Sequence, residues 1–102
     1  MEINSLFNVT GKVVVVTGGS RGIGEMITAG FLANGAKVYI SARKAPPLME
    51  KAKELSERYN AECIAIPCDL STLEGIDYFT QQITEKENGI DFLINNAFFL
   101  II

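Results

Sequence analysis

The chain alternates short apolar runs with amphipathic stretches, and the period of the pattern changes between the two. "KVVVVT" (12–17) is β-branched and apolar without alternation, which predicts a strand covered on both faces. From Gly22 to about Asn34, Ile23, Ile27, Gly30 and Phe31 fall at helical spacing, and Asn34-Gly35 supplies the stop. "AKVYIS" (36–41) predicts a second strand. Pro46 and Pro47 suit the entry of a second helix, where a missing N–H costs nothing. Along it Met49, Ala52, Leu55 and Tyr59 form one face, and Glu54 and Arg58 stand in the favourable i,i+4 order. "ECIAIPC" (62–68) predicts a third strand. Ser71 or Thr72 can cap a third helix through about Glu87, with Leu73, Ile76, Phe79 and Ile83 facing inward. "IDFLIN" (90–95) predicts a fourth strand.

Strands buried on both faces and alternating with helices imply a parallel sheet with right-handed crossovers. The expectation is an α/β fold, a Rossmann-like doubly wound parallel sheet in the order 3-2-1-4. Its ligand crevice lies beyond the C-terminal ends of the strands. No repeat, low-complexity tract or linker interrupts the pattern, and 102 residues leave room for one domain with a small core.

Composition narrows the chemistry. The chain is 48% apolar and 21% charged, as soluble globular proteins are, and its net charge of -3 gives no attraction to nucleic acid or an anionic membrane. It has no histidine, the commonest metal ligand and the commonest general base near neutral pH, and no metal is expected. Cys63 and Cys68 form neither CxxC nor a zinc pattern and read as reduced thiols on or beside a buried strand. "MEINSLFNVTGK" lacks the basic head and apolar stretch of a signal peptide, and no apolar run approaches the roughly 20 residues of a membrane span. The expected location is cytoplasmic.

"TGGSRGIG" (17–24) leaves the first strand and enters the first helix, so it lies on the crevice. A helix N-terminus offers unpaired N–H groups and a positive dipole end, which together bind phosphate. Glycine permits the tight turn and lets the backbone approach a pyrophosphate. The spacing Gly18-x-x-x-Gly22-x-Gly24 differs from G-x-G-x-x-G and lacks the GK[ST] of a P-loop, which favours a dinucleotide over a nucleoside triphosphate.

"TGGSRGIG" resembles the TGxxxGxG cofactor motif of the short-chain dehydrogenase/reductase family. "CDLS" (68–71) resembles that family's acidic motif after the third strand, and "NNA" (95–97) the start of its NNAG motif. The resemblance covers the chain up to Ala97 and implies an oxidoreductase that passes hydride between a nicotinamide cofactor and a carbonyl or alcohol. It places Gly18, Ser20, Arg21, Gly22, Ile23 and Gly24 around the cofactor phosphates and ribose. Asp69 would accept from the adenine amino group, Leu70 would flank the base, and Asn96 would touch the adenosine ribose region. Asn95 is assigned to tying strands together. Asp69 also has a second reading, as a cap for the helix near Ser71.

The end of the second strand distinguishes the two nicotinamide cofactors, because a carboxylate there repels a 2′-phosphate and an arginine attracts it. The chain reads "ISARK", which adds Ser41 and Arg43 to the site, and Ala42 stands where NAD-preferring relatives often carry aspartate. No carboxylate occurs between Glu25 and Glu50. Arg21 can approach the same phosphate from the glycine loop. Two cations around a dianion favour NADP(H) over NAD(H).

Enzymes of the family use a tyrosine with a lysine at i+4 and a serine, beyond the fourth strand. Here Tyr39, Tyr59 and Tyr78 have Arg43, Cys63 and Gln82 at i+4, and each reads as part of a core strand or helix face. No catalytic residue is assigned. At position 98, where the family has glycine, the chain has Phe98 and runs on as "AFFLII". The chain therefore resembles the N-terminal, cofactor-binding portion of a longer enzyme. The expected function is NADP(H) binding within a short-chain oxidoreductase. The alternatives are a non-catalytic nucleotide-binding module and a truncated product without independent activity. The apolar ending "FLINNAFFLII" would be an exposed edge or tail, an aggregation hazard.

Overall fold

A computed structural model of the chain describes residues 8–96; Ala97, Phe98 and the remaining apolar ending lie outside the described residues. In order, the elements are β1 (Val13–Thr17), α1 (Gly22–Ala33), β2 (Lys37–Ala42), α2 (Ala45–Tyr59), β3 (Cys63–Pro67), α3 (Leu73–Lys86) and β4 (Phe92–Asn95). The four strands form one parallel sheet in the order β3-β2-β1-β4, as the sequence pattern predicts. Val15 stands opposite Tyr39 on one side and Leu93 on the other. Each connection carries a helix, since parallel neighbours cannot be joined by a tight turn.

The two faces of the sheet are buried unequally. Val14 and Val16 of β1, with Val38 and Ile40 of β2, pack against Leu32 of α1 and Leu48, Ala52 and Leu55 of α2. Val15, Tyr39 and Ile66 face the other way, under Ile83 and Phe79 of α3. Strand β1 lacks alternation because successive valines enter different cores. Phe31 of α1 stacks on Phe92 of β4 with ring centroids 6.0 Å apart. Among the described residues β4 is an edge strand, with Leu93 exposed. No helix among the described residues is long and apolar enough to cross a membrane.

Four apolar positions expected to face inward are exposed. In α2 the buried residues are Leu48, Ala52 and Leu55, while Met49 points outward. Adjacent helical residues lie about 100° apart, so only one of Leu48 and Met49 can join the stripe that Ala52 and Leu55 define. Leu73 and Ile76 of α3 are 78% and 44% exposed. They continue the stripe of Phe79 and Ile83, but no described element covers that part of it. Tyr78 is likewise exposed, off the core face assigned to it. Ile23 is 69% exposed, because α1 turns Gly24, Thr28 and Leu32 to the sheet.

Candidate functional site

The loop after β1 is held from below by the end of β4. Thr17 Oγ1 donates to Asn95 Oδ1 at 3.0 Å and accepts from Asn96 N at 2.9 Å, so Asn95 ties the strands together as expected. Asn96 Nδ2 donates to the Gly18 carbonyl at 3.3 Å, and Gly18 N donates to Ser41 O at 3.0 Å. Gly18 and Gly22 have φ of +66° and +58°, a region that strains any residue with a Cβ. Gly24 has an ordinary conformation but no space: a Cβ there would overlap the Gly18 carbonyl and stand 2.6 Å from Asn96 Nδ2. Thr28 completes the seam, its hydroxyl 2.8 Å from Gly24 O and 3.3 Å from Gly19 O.

Helix α1 starts without a side-chain cap. Its N-cap is Arg21, whose side chain has no acceptor, and the first intrahelical bond runs from Glu25 N to Arg21 O. By contrast α3 is capped by Thr72, whose Oγ1 accepts from Gly75 N at 2.9 Å; of the two expected caps, the residue is Thr72 and not Ser71. The amides opening α1 keep their capacity to bind an anion.

A cleft of about 400 Å³ opens at the C-terminal ends of the strands. It is walled by Gly18, Ser20 and Arg21 after β1, by Ser41, Ala42 and Arg43 at the end of β2, and by Cys68 to Ser71 after β3. A smaller cleft of about 250 Å³ adjoins it between the starts of α1 and α2, lined by Ser20, Arg21, Arg43, Lys44 and Pro47 among others. The structure thus brings Gly18, Ser20, Arg21, Ser41, Arg43, Asp69 and Leu70 to one space. Gly22, Ile23, Gly24 and Asn96 do not line it; Gly24 and Asn96 shape the loop beneath it.

Asp69 stands at the cleft and does not cap α3, whose N-cap is Thr72. Asp69 Oδ1 accepts from Ser71 N at 2.9 Å and from Ser71 Oγ at 2.6 Å, a turn that leads into α3. Those Ser71 bonds hold its carboxyl below the ordinary range, and the charge of Arg43 adds to the effect. Cys68 is a half-buried free thiol, raised by burial and by the Asp69 charge; Cys63, deeper in β3, is pushed up to about 12 by burial. Neither carries the thiolate character of a reactive cysteine. Ala42, Cys68, Ser71 and Lys44 join the walls without having been singled out as site residues. Each is a sequence neighbour of one that was, the signal that would have found it.

A family model for short chain dehydrogenases matches residues 12–99. The chain belongs to the short chain dehydrogenase family. Among its family relatives, the 3-oxoacyl-acyl-carrier-protein reductase of rhamnolipid biosynthesis from Pseudomonas aeruginosa is 44% identical over 91 residues. That match covers 89% of this chain and 35% of the relative. The fatty acyl-CoA reductase of Acinetobacter baylyi is 41% identical over 98 residues, 94% of this chain and 33% of its own length. Solved short chain dehydrogenases superpose closely. The L-sorbose reductase of Gluconobacter frateurii, complexed with NADPH and L-sorbose, gives a TM-score of 0.86 at 36% identity, over 90% of this chain and 35% of that one. The chain therefore spans roughly a third of the length of these family members.

Proposed function

We propose that the chain is the nicotinamide-dinucleotide-binding domain, residues 1–102, of a short chain oxidoreductase, and that it takes NADP(H) in preference to NAD(H). The observation that carries this reading is the convergence of the glycine loop, Arg43 and Asp69 on one cleft at the strand ends. Its volume lies within the roughly 300–1,000 Å³ of small-molecule sites. The positive φ of Gly18 and Gly22 and the seam under Gly24 fix the course of the loop, whose backbone amides would meet a diphosphate.

Arg21 and Arg43 line both clefts, and Lys44 joins them in the smaller one, where no carboxylate is among the lining residues. A 2′-phosphate is the group that such a wall accommodates. Asp69 and Leu70 also line the larger cleft, and the Asp69 carboxylate would accept from an adenine amino group. When bound, the nicotinamide would supply hydride exchange with a carbonyl or alcohol carbon. The protein's part in these residues is binding and orientation. Tyr39 is committed elsewhere, its hydroxyl donating to Glu87 at 2.6 Å within the core.

The reading is tested by titrating the full chain with NADPH and NADH. NADPH is expected to bind more tightly. Arg43→Asp is expected to weaken NADPH by about tenfold or more, the equivalent of one charge-assisted hydrogen bond, with little loss for NADH. Equal binding of the two cofactors, or NADPH affinity unchanged in the variant, removes the 2′-phosphate assignment.

A further inference from the structure

The third helix begins against the same peptide that bears Asp69. The Asp69 carbonyl oxygen accepts from Thr72 Oγ1 at 3.1 Å and from Thr72 N at 3.3 Å. The Thr72 hydroxyl in turn accepts from Gly75 N at 2.9 Å. In the first turn of α3, Gly75 leaves no room for a side chain: a Cβ would overlap the Asp69 carbonyl and stand 3.0 Å from Thr72 Oγ1. Glycine inside a helix is unfavourable relative to alanine, so its presence here needs a local cause, and the close approach of residue 69 supplies one.

The same segment is fixed from its other side. Ser71 holds Asp69 Oδ1 by two hydrogen bonds, and Asp69, Leu70 and Ser71 all wall the cleft. The peptide is latched behind by the helix start and the carboxylate is oriented in front. Moving the carbonyl out of the first turn of α3 would rotate the peptide and carry the side chain with it.

We propose that Thr72 and Gly75 are positioning residues for the base-reading carboxylate, an inference that rests on the assignment of Asp69 to the adenine amino group. Neither residue touches the base. Their effect is to set where Asp69 stands, and so to set discrimination between adenine and a purine that presents a carbonyl at the same position.

The test compares NADPH with its hypoxanthine analogue on the full chain, by fluorescence titration alongside thermal melting. The native sequence is expected to favour NADPH by about tenfold, since the analogue turns an acceptor toward the carboxylate. In Gly75→Ala the ratio is expected to fall toward one. Thr72→Val, which keeps the shape and the backbone bond but loses the two hydrogen bonds of the hydroxyl, should behave alike, while Thr72→Ser retains the preference. Gly30→Ala is the control, because a Cβ there meets nothing within 4 Å. A purely structural role would lower the melting temperature and weaken both ligands equally. Should Gly75→Ala fail to fold, the Val and Ser variants at position 72 decide. A preserved ratio in folded Gly75→Ala, or in Thr72→Val, overturns the inference while leaving the cofactor reading intact. Native protein that binds both purines equally removes the Asp69 assignment and this inference with it; failure to bind NADPH at all overturns the proposed function itself.

Discussion

Replacing Gly24 with alanine is expected to abolish measurable NADPH binding and to lower the melting temperature by about 10 °C. The added Cβ would overlap the Gly18 carbonyl and press on Asn96 Nδ2, which itself donates to that carbonyl. Neither neighbour can yield cheaply. Gly18 is bound through its N–H to Ser41 O, and Asn96 through its N–H to Thr17 Oγ1. Overpacking of this kind costs about 2 kcal/mol. For a domain of this size each kcal/mol is worth roughly 4–8 °C. The loss of binding has a separate origin, since a displaced Gly18 moves the cradle that the diphosphate would occupy. Calorimetry and NADPH titration check the two effects independently. An alanine variant that melts with the native protein and binds NADPH normally contradicts the seam. Gly30→Ala, in the same helix but facing open space, is expected to gain about 0.5–1 kcal/mol from helix propensity alone.

The sheet and its order were legible because the valines of β1 lack alternation and each apolar run is followed by a helical period. What the period could not reveal was whether a partner element covers a given stripe. Leu73 and Ile76 show a regular inward face, yet only the part of it occupied by Phe79 and Ile83 meets the sheet. Leu48 and Met49 are equivalent in composition, and only the packing of α2 on β2 separates them. At the site, the cleft residues were legible from three loops at three strand ends. Gly75 was not, because its reason is a backbone carbonyl belonging to Asp69. Its one local sign was a glycine placed inside an amphipathic helix.

Glu87 was equally hidden, since its partners lie far away in sequence, and its replacement carries the second large expected effect. Its Oε2 accepts from the Tyr39 hydroxyl at 2.6 Å and lies 2.6 Å from Lys37 Nζ. Ile83 is the one buried residue of helix α3, so this carboxylate is a principal tether of its C-terminal end to β2. Glu87→Ala strands a buried phenol and an ammonium, and is expected to cost about 3 kcal/mol, or more than 10 °C in melting temperature. Glu87→Gln should cost less at neutral pH, because an amide oxygen can still accept from Tyr39. Its pH dependence is the sharper test. The bonds from Lys37, then Tyr39, hold the Glu87 carboxyl below its ordinary value of 4.5. A carboxyl depressed in the folded state contributes stability in full above its unfolded value and loses it as pH falls through the folded one. Tyr39, raised chiefly by burial, stays a neutral donor throughout the acid range. The stability gap between the native protein and Glu87→Gln, read from urea midpoints, is therefore expected to be widest near pH 7 and to narrow as pH falls below about 4.5. Asp69 and Glu54, also depressed, remain in both proteins and leave the difference unaffected. A gap that stays constant from pH 7 down through the carboxylate range would show that the charge of Glu87 does not hold α3 to the sheet.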